Sequence, residues 1–142
     1  MYSGLLHTHS YLRYFVLAAL LLVIITALLG LLNKKSFSAW DNRFSLILLI
    51  LTHIQFLVGL VLYFVSPWVH FGAETMKVKE TRYWTVEHIF GMLVAVVLIT
   101  IARSTSKRMT TDQAKYKRLF IFNLIALIII LVTIALSGRN IL

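Results

Sequence analysis

Five histidines and no cysteine carry the ligand chemistry of this chain. Without cysteine there is no disulfide, thiolate zinc site, iron–sulfur cluster or covalently attached haem, so a cofactor must hang on His, Met, Tyr or carboxylates. His53 and His88 stand inside long apolar runs. An imidazole there is expensive to keep unless it ligates haem, binds a metal ion, relays protons or bonds to a neighbouring helix.

The run "RYWTVEHIFGMLVAVVLIT" sets Glu87 beside His88 at the head of such a segment. Adjacent residues point about 100° apart on a helix, which leaves Glu87 to orient a histidine of the first helix, to pair with Arg13 or Arg82, or to reach the outer interface. His88, Gly91 and Ala95 follow at i, i+3 and i+7, one face on which glycine lets a flat ring approach the backbone; small-residue stripes also serve plain helix packing. In "HTHSYLRY" the spacing of four puts His9 and Arg13 on one face. A guanidinium there suits a haem propionate or lipid headgroups. His7 and His9 also form a weak copper or zinc pattern, and His70 reads as solvated in a loop. Nothing in the chain reads as a catalytic site: there is no nucleophile–base pair, no paired acids and no glycine loop for phosphate.

The elements that position these residues follow from composition. Of the 142 residues 60% are hydrophobic and 13% charged, with a mean hydropathy of +0.88, far from the range of soluble domains. Four stretches carry no charge: 14–33, 44–73, 88–102 with 83–86 ahead of Glu87, and 119–138. About 20 apolar residues span a bilayer as a helix. The expected fold is therefore an all-α integral membrane domain covering 1–142, an up-down-up-down four-helix bundle with helices over about 5–33, 39–66, 81–104 and 115–138. Ser38 and Thr81 suit N-caps, Pro67 stops the second helix, and Trp40 and the Arg82–Tyr83–Trp84 run suit interfacial anchoring. The N-terminal run lacks a basic leader and is too long for a signal peptide, so it reads as a mature helix.

The net charge of +9 reports topology rather than a nucleic-acid partner. Nine of the 14 Lys and Arg flank the connections between helices 1 and 2 and between helices 3 and 4. The positive-inside rule places those connections inside and both termini outside, periplasmic in a bacterial inner (cytoplasmic) membrane. Counted from Ser38 and Arg103 as inner ends, His53 and His88 both lie roughly 22 Å up, and His9 roughly 36 Å. Equal depth pairs His53 with His88. The pair His9 and His88 has its own merit, because helices 1 and 3 are diagonal in a ring of four and leave space between them.

Taken together, "HSYLRY", "HIQFLVGLVLYFVSP" and "RYWTVEH" resemble, over nearly the whole chain, small bacterial four-helix membrane proteins known as cytochrome b-like. The resemblance implies haem b, electron transport in or beside a respiratory chain, and His9, His53 and His88 as the matching histidines. Two of these three would hold one haem, with Arg13 and Gly91 beside it. Exchange with a quinol and with respiratory membrane subunits would follow, and a homo-oligomer is compatible. The alternatives are a transition-metal protein, with His9, His53, His88 and Glu87 taking copper, zinc or iron, and an accessory subunit of a membrane complex without a cofactor.

Overall fold

A computed structural model describes residues 2–67, 69, 71–72 and 74–137. They form four helices, each long and apolar enough to cross a membrane: α1 (Tyr2–Leu32), α2 (Ala39–Val65), α3 (Lys79–Arg108) and α4 (Asp112–Leu136). No strand occurs among the described residues. His70 lies outside them.

Every helix is apolar around most of its circumference, and the buried positions are picked out by spacing rather than by hydropathy. In α1 the buried face is Val16, Leu20, Val23, Ala27 and Gly30; in α4 it is Tyr116, Leu119, Asn123, Ala126, Ile130 and Thr133. Steps alternating between three and four residues keep a nearly straight seam along a helix, the condition for knobs-into-holes packing. The opposite stripe of α1, with Leu21, Ile25, Leu28 and Leu32, is exposed. Such faces are stable against hydrocarbon and unstable against water. α1 packs along α2 and α4, and α3 packs along α4 and α2. α1 and α3 are therefore diagonal to one another.

Helix ends follow local chemistry. Ser38 caps α2 in a reciprocal box: its hydroxyl accepts from Asp41 N at 3.2 Å while its own N–H donates to Asp41 Oδ2 at 2.9 Å. The same carboxylate reaches α4, where the Tyr116 hydroxyl lies 2.7 Å from Asp41 Oδ2 and 2.9 Å from Ser36 O. Tyr116 lies flat against Gly30 of α1, the only residue whose lack of Cβ leaves room for the ring: a Cβ there would sit 2.5 Å from Tyr116 Cζ. α2 ends at Val65, one residue before the Ser66–Pro67 pair.

Three expectations about the ends fail. Thr81 does not cap the third helix, which begins two residues earlier behind Val78, with no side-chain cap. Nor does that helix end near Arg103: the chain stays helical to Arg108, and Arg103 is buried, with hydrogen bonds to α2 in place of water. The fourth helix starts at Asp112 because the Thr111 hydroxyl accepts from Ala114 N at 3.2 Å. Tyr83, expected at the membrane surface, is only 3% exposed.

Candidate functional site

α3 is not uniform. After one α turn, residues Tyr83–Glu87 form a π turn, and the His88 N–H donates to Tyr83 O, five residues back. A π turn is a poorer local solution than an α turn and persists where its surroundings hold it. Two neighbours do so here. Tyr63 of α2 donates its hydroxyl to Thr85 O at 2.7 Å, and Tyr83 donates to Thr133 O of α4 at 2.8 Å. The turn delivers Tyr83, Trp84 and His88 to one side, where the Tyr83 and Trp84 rings flank the imidazole at centroid distances of 5.8 and 5.1 Å.

That side opens on a cavity of about 580 Å³ bounded by all four helices, within the range of roughly 300–1,000 Å³ typical of sites for small molecules and cofactors. α1 contributes His9 and Arg13, α2 contributes Gln55, Gly59 and Tyr63, α3 contributes Trp84, His88 and Met92, and α4 contributes Ile130 and Ile134. His9 and His88, on the diagonal helices, meet in this cavity with ring centroids 6.2 Å apart and planes at 75°. Gly59 is what admits the His9 ring, since a Cβ there would stand 3.0 Å from His9 Cε1. Gln55 donates its Nε2 to His9 O at 2.8 Å and ties α2 to this turn of α1.

Three buried polar atoms of the cavity lining, His9 Nδ1, Arg13 Nε and Gln55 Oε1, make no hydrogen bond. Buried polar groups are ordinarily satisfied; the His9 and Gln55 side chains are neighbours across the α1–α2 seam, while Arg13 Nε has no acceptor. On His88, Nδ1 stands 3.5 Å from the Tyr83 hydroxyl, a long contact whose oxygen is placed to accept from the ring.

Of the sequence candidates, His9, His88 and Arg13 come together here. His53 does not. It is exposed and does not line the cavity, with Nε2 3.2 Å from Thr100 Oγ1 of α3. The equal-depth pairing fails because Arg103 is not the inner end of α3. Counted from the true ends, His9 stands about 34 Å from Leu32, His88 about 30 Å from Arg108, and His53 only about 21 Å from Ala39. Gly91 turns away from the cavity and receives the Thr133 side chain of α4, which is helix packing rather than room for a ring. Glu87 pairs with Arg82 at 3.2 Å, one of the three roles open to it. His7 is exposed.

Sequence reasoning missed Tyr63, Tyr83, Trp84, Gln55 and Gly59 as site residues. The last two carry a signal, four residues apart on one face of α2. No group of three or more His, Cys, Asp or Glu residues converges among the described residues. The arrangement thus offers two imidazoles across an apolar space, with one guanidinium at its wall. Compared with protein-family models, with curated proteins and with solved structures, the chain gives no match in any of the three.

Proposed function

We propose that this chain is a b-type membrane cytochrome in which His9 and His88 are the axial ligands of one haem, and that it passes electrons in or beside a respiratory chain. One observation carries the reading: two imidazoles on diagonal helices line one cavity with 6.2 Å between ring centres. Metal–imidazole bonds of about 2.0–2.1 Å would let both residues hold one iron at this separation. The donor set is two histidines rather than the three or four ligands of a zinc or copper site, and it favours haem over the transition-metal alternative.

A haem held by two imidazoles supplies one-electron redox chemistry. The chain's own residues do the rest. Arg13, whose Nε–H is buried and unpaired, would pair with a propionate carboxylate. Tyr83 accepts from His88 Nδ1 and keeps Nε2 as the lone-pair donor, and Gln55 Oε1 is the group placed to do the same for His9. Met92, Ile130 and Ile134 exclude water. The basic connections at Lys34–Lys35 and Lys107–Arg108 face the cytoplasm in the orientation we infer, an up-down-up-down bundle with both termini outside in a bacterial inner membrane. In that orientation His9 and His88 lie toward the outer leaflet, and a haem held by them would be within reach of a membrane quinol or a partner subunit.

The test is the absorption spectrum of protein purified in mild detergent from haem-replete cells, oxidised and after dithionite. The expected result is a Soret band with sharp α and β bands on reduction. A featureless visible spectrum rejects the assignment, and stoichiometric copper or zinc without a Soret band replaces it with metal binding.

Gly59→Ala gives a milder check. The added methyl pushes on His9 Cε1, and displacing an axial ligand is expected to weaken haem retention roughly tenfold, read as haem per protein by pyridine haemochrome after dilution. Unchanged retention would place the His9 ring outside the coordination sphere.

A further inference from the structure

At the end of the molecule opposite the histidines, a second cavity of about 260 Å³ lies among α2, α3 and α4, and three of its lining residues are Arg103, Lys107 and Lys115. Arg103 is 8% exposed. Its Nη1 donates to Asn42 O at 2.9 Å and to Ser45 Oγ at 2.5 Å, both uncharged acceptors. No carboxylate lines the cavity. Asp41 is engaged by Ser38 and Tyr116, and Asp112, in the first turn of α4, is not among the cavity's lining residues. A buried cation without a counter-charge is costly in a protein interior and more so near hydrocarbon. The Lys115 ammonium, set over the Phe37 ring at 5.6 Å, and Lys107 add to the charge instead of offsetting it.

We propose that this cavity is a binding site for a phosphate group, with the Arg103 guanidinium at its floor and Lys107 and Lys115 at its mouth. A planar guanidinium with two mobile ammonium groups is the donor set that phosphate oxygens accept from best. The volume suits a phosphate headgroup and excludes an acyl chain. Two sources share this chemistry: an anionic phospholipid of the adjacent leaflet, which basic pockets between transmembrane helices recognise, and inorganic phosphate from solution. The site is independent of the haem reading, since the two cavities have no lining residue in common.

The test is native mass spectrometry of the purified chain titrated with phosphatidylglycerol, with phosphatidylcholine, and with inorganic phosphate as competitor. Lys107→Gln/Lys115→Gln is the variant to compare, because it leaves the Arg103 hydrogen bonds to α2 in place and so the fold intact. The control is Lys34→Gln/Lys35→Gln, which removes the same charge from the neighbouring connection but not from the cavity. One phosphatidylglycerol per chain, held at least roughly tenfold more tightly than phosphatidylcholine and lost in the cavity variant but not in the control, supports the site and assigns it to lipid. Binding or displacement by millimolar inorganic phosphate, weakened in the same variant alone, supports the site and assigns it to soluble phosphate. Absence of both, or equal weakening in the control, overturns the proposal and leaves only diffuse surface charge.

Discussion

His88→Ala is expected to purify as a folded helical protein with no low-spin haem spectrum, and His9→Ala to do the same, while His53→Ala keeps the wild-type spectrum. The contrast is large because an axial ligand is a bond to iron, whereas His53 is exposed, bonds to Thr100 of α3 and does not line the cavity. Difference spectra and haem content of the three variants, each checked by circular dichroism, decide it. A preserved α band in His88→Ala would end the assignment of the cavity, and loss of the band in His53→Ala and His88→Ala but not in His9→Ala would return the site to the pairing by equal depth. Supplying imidazole to either cavity variant should restore part of the low-spin signal, since the cavity then holds a free ligand where the side chain was. A merely structural histidine gives no such rescue.

The second large effect lies at the other end of the bundle. Gly30→Ala drives a methyl into the face of Tyr116, where Cζ, Cε1 and Cε2 would all lie within 2.6 Å of it. The ring has nowhere to go. It is 2% exposed, tilted against Phe37 at 5.2 Å, and tied through its hydroxyl to Ser36 and Asp41. Overpacking of this kind costs about 1–3 kcal/mol, and losing a hydrogen bond to a charged acceptor costs about 1.5–3 kcal/mol more. Gly30→Ala should therefore destabilise the protein by about 3–5 kcal/mol, seen as a markedly lower unfolding temperature in detergent. Tyr116→Phe should lose only the hydrogen-bonding part. The double variant should lose less than the sum, because once the hydroxyl is gone the ring can shift. Strict additivity would mean that the two positions do not touch.

The spans and the basic connections were legible because they depend on composition alone: hydrocarbon selects against charge over lengths fixed by bilayer thickness. The Ser38 cap was legible because it is local. The seams were harder to see, since Leu21 and Leu20 are equally apolar and only three-and-four spacing tells the lipid face from the core face. Depth was misread for a specific reason. Arg103 looked like a membrane boundary because it is charged, yet it is inside the bundle, and moving the inner end of α3 to Arg108 brings His88 level with His9 and leaves His53 behind. Direction around the helix was not readable either. No residue pattern announces the π turn, which forms because Tyr63 and Tyr83 find carbonyls on other helices. Those are contacts between segments far apart in the chain.

A π turn holds one residue more than the α turn it replaces, so it behaves as an insertion that the helix has absorbed without breaking. Deleting Val86, exposed on the outside of that turn, would let α3 run as a regular helix from Lys79 onward, with better local geometry. The segment before the turn would keep nearly its present angle to His88, because five residues at the wide π pitch and four at the α pitch turn through similar angles. Tyr83 and Arg82, five residues before His88 and Glu87, would then stand four residues before them and still share a face. The turn works as a splice: it lets two α segments keep one phase across an odd residue.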